Sequence, residues 1–246
     1  MKKIFNATFL FFALIAASNA NAQTSNWMGK NVAGAIQIGG TYRNTDLGQI
    51  NSALNANGIP SLKGNDFWIN ASMMHVHKKV IFEDGIGFTP TSSADNNNGL
   101  KAKFNQAQLF ARIGYDIADG PNYRFFPFAG INLTGAMLRI QDKNRINATD
   151  DFSTELLNST SSKTFYQGNF GIDLGLGFDY AIPVKAKTVD CFTIKRSIPI
   201  GIRGGYYINA AKSDWHVDDH SLNGANKSQS AVFLSLAIGL GYEISK

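Results

Sequence analysis

Residues 169–180 read NFGIDLGLGFDY. Every second side chain is bulky and apolar: Phe170, Ile172, Leu174, Leu176, Phe178, Tyr180. Those between are Asn169, Gly171, Asp173, Gly175, Gly177 and Asp179. A period of two puts the two sets on opposite faces of an extended strand. Residues 232–243, VFLSLAIGLGYE, repeat the pattern, with Val232, Leu234, Leu236, Ile238, Leu240 and Tyr242 on the bulky face. Residues 106–117, QAQLFARIGYDI, set Leu109, Ile113, Tyr115 and Ile117 against Gln106, Gln108, Arg112 and Asp116.

Working outward from these three, five more segments predict strands: Ala33 to Tyr42, Phe67 to His77, Val80 to Thr89, Tyr123 to Ile140 and Ile198 to Asn209. Within Val80 to Thr89, Glu83 and Asp84 put an acid on each face, which implies a bulge or a different register. Lys78-Lys79 joins the second and third strands, Ala118 to Asn122 the fourth and fifth, and about a dozen residues around Cys191 the sixth and seventh. The other connections are longer or more polar: Arg43 to Asp66, Pro90 to Ala102, Gln141 to Lys163, Ala210 to Ser228. Short turns at one end and long loops at the other are the asymmetry of outer-membrane barrels, with the short turns in the periplasm. An even strand count lets the last strand pair with the first, which removes the open edges that hydrocarbon does not tolerate.

The faces distinguish a membrane barrel from a soluble one with an apolar interior. A water-washed sheet carries Lys, Glu and Thr in quantity; here the minority face is Gly, Ala, Ser, Asn and Gln with sparse charges of both signs. That composition suits a narrow lumen, so the bulky face is expected to meet lipid. On it, Tyr115, Phe125, Phe178, Tyr180 and Tyr242 fall toward the short-turn end, and Tyr42, Tyr166 and Tyr206 toward the other. These are the expected interfacial girdles.

Lys2 and Lys3, the apolar run to Ala17, and Ala20-Asn21-Ala22 read as a secretory signal peptide over residues 1–22. Residues 23–32 then form a periplasmic linker and 33–246 the barrel domain. The formal charge of +5 falls to +3 without Lys2 and Lys3, too mild to argue for nucleic acid. The lone Cys191 excludes an internal disulfide.

The signal segment, eight alternating strands and the aromatic-bearing strand Val232 to Tyr242 resemble the small outer-membrane β-barrel proteins, the OmpA-transmembrane-domain and OmpX type within the porin-like superfamily. The resemblance covers the chain from about Ala33 onward and implies architecture more than activity. The expected fold is all-β: an eight-stranded antiparallel up-and-down transmembrane barrel with one short helix in the first extracellular loop. That helix is read over Asp46 to Gly58, with Asp46 as cap, Gln49 three residues on, Asn57-Gly58 as stop, and an apolar stripe of Leu47, Ile50, Ala53 and Leu54 over the barrel mouth.

Arg112, Asp116, Asp173, Asp179, Arg203 and Glu243 are expected to pair inside the lumen, because buried charges need partners. His216, Asp218 and His220 are the densest ligand-type cluster, but they read as a solvated loop rather than a metal site. His75 and His77 share one face near the periplasmic end, far from where an outer-leaflet lipid enzyme would place a His and Ser pair. The expectation is therefore a non-enzymatic, monomeric outer-membrane barrel with no cofactor. Its lumen is filled by side chains, lipid surrounds it, and its extracellular loops serve structural or surface-interaction roles toward a protein or surface ligand. The alternative is a narrow or gated pore for small solutes, and an outer-leaflet lipid-modifying enzyme stands third.

Overall fold

The computed structural model describes residues 32–245 other than 65, 97, 119, 146–161, 190–191, 223 and 225–229. The expected signal peptide, the linker up to residue 31, and Cys191 lie outside these residues. Eight long strands form the wall: β1 (Val32–Arg43), β2 (Phe67–His77), β3 (Val80–Phe88), β5 (Leu100–Tyr115), β6 (Tyr123–Asp142), β7 (Ser162–Val189), β8 (Phe192–Lys212) and β11 (Ala231–Ser245). Each is antiparallel to its neighbours in chain order, and β1 pairs with β11, so the ring of eight closes on itself. Three short strands, β4 (Ser92–Asp95), β9 (Trp215–Val217) and β10 (His220–Leu222), add to the wall at the loop end.

The closure is staggered. Stepping from Ala33 through its successive partners Val76, Ile81, Gly114, Phe128, Gly175, Gly205 and Phe233 returns to β1 at Arg43, ten residues further along. A stagger of this size tilts the strands by about 35–45° to the barrel axis and leaves an interior that side chains fill.

Sidedness follows the period-two pattern throughout. All eight aromatic residues assigned to the two girdles (Tyr42, Tyr115, Phe125, Tyr166, Phe178, Tyr180, Tyr206, Tyr242) face outward and are exposed. Phe67 and Phe88 join the loop-end set. Between them the exterior is a continuous apolar surface that includes Ile38, Ile86, Ile113, Leu176, Leu236 and Leu240. A monomer in water does not present apolar area on that scale, whereas a hydrocarbon surround requires it.

The structure changes several local expectations. The third strand has no bulge between Val80 and Phe88: a two-residue turn with Lys78 at φ 56° sets β3 in continuous register with β2. Glu83 therefore points inward and Asp84 outward. The residues around Cys191 are not a linker, because β7 and β8 run on as paired strands to Val189 and from Phe192. Pro183, which has no N–H to donate, sits where the β7–β8 register shifts. Pro90 to Ala102 contains β4, and Ala210 to Ser228 contains the β9–β10 hairpin.

The first-loop helix α1 runs Gly48–Ala56 with Leu47 as N-cap and no side-chain cap. Asp46 lies one residue too early to cap it and instead accepts from the Gly48 N–H at 2.8 Å. Asn57 ends the helix and Gly58 takes φ 72°, a conformation natural to glycine. Of the predicted stripe, Leu47, Ile50 and Leu54 are buried while Ala53 is exposed.

Candidate functional site: the charged lumen and its apolar cap

Inward positions of β3, β5, β7 and β8 bring five charges together at mid-lumen. Arg112 Nε and Nη2 donate to Asp173 Oδ2 at 3.1 and 2.9 Å. Arg203 grips Asp179 with two bonds, Nη1 to Oδ1 at 2.6 Å and Nη2 to Oδ2 at 3.2 Å. Glu83 stands between the two arginines, 3.7 Å from Arg112 Nη1 and 3.5 Å from Arg203 Nε, and accepts from the Ser72 hydroxyl at 3.2 Å. All five charged residues are buried. Removal from water is tolerable for such groups because each has an opposite charge and charge-assisted hydrogen bonds.

Aromatic rings pack the remaining faces of the guanidinium groups. Arg112 lies 4.5 Å from the Phe110 ring centroid and 5.3 Å from Phe128, and Arg203 lies 5.0 Å from Phe126. Glycines on the inner face make the room. A Cβ at Gly201 would overlap Asp179 and Arg203, and one at Gly177 would overlap Phe126. Large and small residues alternating in this way fill a barrel of eight strands without widening it.

Toward the loop end a polar layer follows. Thr134, Asn132, Gln108, Asn70, Thr41 and Ser235 form a side-chain hydrogen-bond chain around the wall, with separations of 2.6 to 3.1 Å. The chain skips β3, where a Cβ at Gly87 would strike both Asn70 and Gln108. In the same layer the buried Arg43 guanidinium is stacked between Trp68 and Tyr207, at 4.4 and 4.5 Å from their centroids. Both polar atoms of the Gln37 and Asn169 amides, the Trp68 indole N–H and Asp173 Oδ1 are buried without a hydrogen-bond partner among the described residues.

An apolar cap seals the loop end. Leu47, Ile50, Leu54, Ile59 and Leu62 of the first loop pack on Ala94, Ala102, Phe104, Ala136 and Trp215. The loop is tied at both ends of its reach. Asn51 exchanges hydrogen bonds with the Leu62 backbone at 3.1 and 2.9 Å, and Asn96 donates to the Gly58 carbonyl at 2.9 Å.

Of the six residues expected to pair in the lumen, Arg112, Asp173, Asp179 and Arg203 meet there. Asp116 does not: it accepts the Ala118 and Phe125 N–H groups at 3.2 and 3.3 Å and organises the turn after β5. Glu243 is at the short-turn rim, 3.8 Å from Lys195 and partly exposed. Glu83 was missed because two adjacent acids left the inward parity of its strand undecided. Its alternation with Ile81 and Gly85 was the available signal.

His216 and His220 lie on different strands of the β9–β10 hairpin, so their spacing of four does not bring them onto one helical face. Among the described residues no group of three His, Cys, Asp or Glu could hold a metal ion. His216 is instead the cross-strand partner of Ser221, with Nδ1 and Oγ 3.4 Å apart. His75 and His77 face outward at the short-turn end.

No protein-family model and no curated protein sequence matches the chain. Solved structures similar to it include Ail, the attachment invasion locus protein of Yersinia pestis, at 11% identity and TM-score 0.38, covering 88% of this chain and 99% of that one. A major outer membrane protein of Thermus thermophilus is 11% identical with TM-score 0.42, covering 86% and 98%. The outer membrane protease OmpT of Escherichia coli is 10% identical with TM-score 0.31, covering 91% and 99%. The barrel assignment itself rests on the hydrogen-bonded closure of β1 on β11.

Proposed function

We propose that the protein is an integral outer-membrane β-barrel, plugged along its axis, whose capped loop end serves as a structural or surface-contact element outside the cell. The observation that carries this reading is the inversion of faces. The exterior is apolar between two aromatic girdles, while the interior charges are paired with one another. The apolar cap adds a second closure above the ion pairs.

A narrow pore is the second reading, and the unpartnered amides of Gln37 and Asn169 favour it, because buried groups of that kind take water as partner. An enzyme is a weaker reading. The His216–Ser221 contact is long, and among the described residues no carboxylate hydrogen-bonds the imidazole to orient it.

The test is to refold the chain in detergent, compare boiled and unboiled samples by gel, and record conductance in planar bilayers. A heat-modifiable band without discrete channels is the expected result. Discrete conductance steps would replace the plug with the pore, and a chain that folds and stays soluble without detergent would overturn the membrane reading.

A further inference from the structure

The strand register places two charged residues directly opposite each other six times among the described residues. Four of these pairs are of opposite sign, as in Glu83–Arg112 and Lys195–Glu243. Two are of like sign, and both are basic: Lys103–Arg139 on β5 and β6, and Lys185–Arg196 on β7 and β8. Like charges directly opposite are destabilising, so each of these two pairs is a place where an external anion lowers the energy.

The two pairs sit at opposite ends of the barrel, each beside a girdle. Lys103 and Arg139 are outward positions one row beyond Asn105, Met137 and the girdle residue Tyr166. That step is two residues, about 7 Å of strand. Arg196 is exposed and stands opposite Tyr242 of the other girdle. Among the described residues no acid lies within ion-pair distance of Lys103, Arg139 or Arg196. Arg139 Nη2 donates only to Ser162 Oγ, at 3.3 Å. Asp95 is already engaged, 3.2 Å from Lys101 and 3.3 Å from Lys143.

We propose that each like-sign pair holds the phosphate of a lipid headgroup, one pair in each leaflet. The inference rests on the lipid-facing reading of the exterior. A phosphate carries the charge and the several acceptor oxygens that a guanidinium fork and an ammonium together can use. Lys and Arg beside an anionic lipid surface are drawn to it, and the attraction acts within a Debye length, about 8 Å at physiological salt. Recurrence at both ends selects lipid as the source. A soluble polyanion outside the cell reaches only the loop end, whereas lipid phosphates border the hydrocarbon on both sides.

The experiment uses the full chain refolded in maltoside micelles and titrated with phosphatidic acid or phosphatidylcholine, with bound lipid counted by native mass spectrometry. Wild type is expected to retain phosphatidic acid in preference to phosphatidylcholine. The double variants Lys103→Gln with Arg139→Gln, and Lys185→Gln with Arg196→Gln, are each expected to weaken one site by at least about tenfold. Lys101→Gln, which removes an ammonium already paired with Asp95, is expected to bind as wild type does. In maltoside alone the double variants should unfold at the same urea concentration as wild type or higher, because a repulsion is gone; with phosphatidic acid they should unfold at lower. A wild type without preference for phosphatidic acid overturns the proposal. So does a Lys101→Gln variant that loses as much affinity as the double variants, or displacement of the lipid by equimolar inorganic phosphate. The heat-modifiable gel shift is measured on each sample. If it is retained while the preference is absent, only the phosphate assignment is wrong; if it is absent, the lipid-facing reading fails and the assignment with it.

Discussion

Glu83 on β3 reaches Arg203 on β8 across the full width of the barrel, with Oε2 3.5 Å from Nε. The two strands stand four apart in a ring of eight, on opposite walls, and the residues are separated by 120 positions in the chain. This tie, with the neighbouring Glu83–Arg112 contact at 3.7 Å, joins two ion pairs into one cross-brace.

Glu83→Ala removes the brace and leaves two buried arginines with one carboxylate each. Losing one partner of a buried pair costs about 3–5 kcal/mol. The variant is expected to unfold at lower denaturant concentration in detergent, followed by tryptophan fluorescence. Glu83→Gln, which keeps the volume and a hydrogen-bonding oxygen, is expected to lose less. An unchanged midpoint for Glu83→Ala would show that the brace contributes nothing net.

Gly87→Ala is expected to disrupt the Asn70–Gln108 hydrogen bond, because the added methyl group would occupy its space. Overpacking and a lost buried hydrogen bond together predict a destabilisation of about 1–3 kcal/mol. Gly135→Ala is the control. It faces outward with nothing within 4 Å of the new Cβ, and its midpoint should equal or exceed that of wild type.

Ile50→Ala and Leu54→Ala remove side chains from the cap and not from the wall. Each is expected to cost about 2–5 kcal/mol of local stability. Limited proteolysis should then cut within residues 44–66 while the heat-modifiable barrel band persists. Loss of that band in step with loop cleavage would mean that cap and wall fold as one unit.

Ser221 has His216 beside it but no acid orienting that imidazole. A fluorophosphonate probe is therefore expected to leave the wild-type chain unlabelled. Labelling that disappears in both Ser221→Ala and His216→Ala would make the hairpin a catalytic centre.

The eight wall strands and the identity of their two faces were legible because each depends on neighbours within one segment. Phe170 to Tyr180 and Val232 to Tyr242 alternate so regularly that no partner strand is needed to say which side is which. The reading failed where a local cue had two meanings. Glu83-Asp84 suggested a bulge, the stretch around Cys191 read as a connection of about a dozen residues, and Asp46 suggested a cap that the chain places one residue later.

Period two and side-chain size are properties of short stretches, so eight strands, each with a bulky apolar face and a small polar one, follow from the residues alone. Which interior charges meet depends on closure. The ten-residue stagger sets the height of every side chain in the lumen, and it arises from pairing β1 with β11 at opposite ends of the chain. That stagger puts Glu83 between Arg112 and Arg203, leaves Asp116 and Glu243 to the rims, and turns Asp84 outward at mid-depth. No window of neighbouring residues contains that information, because the partners are created by closure.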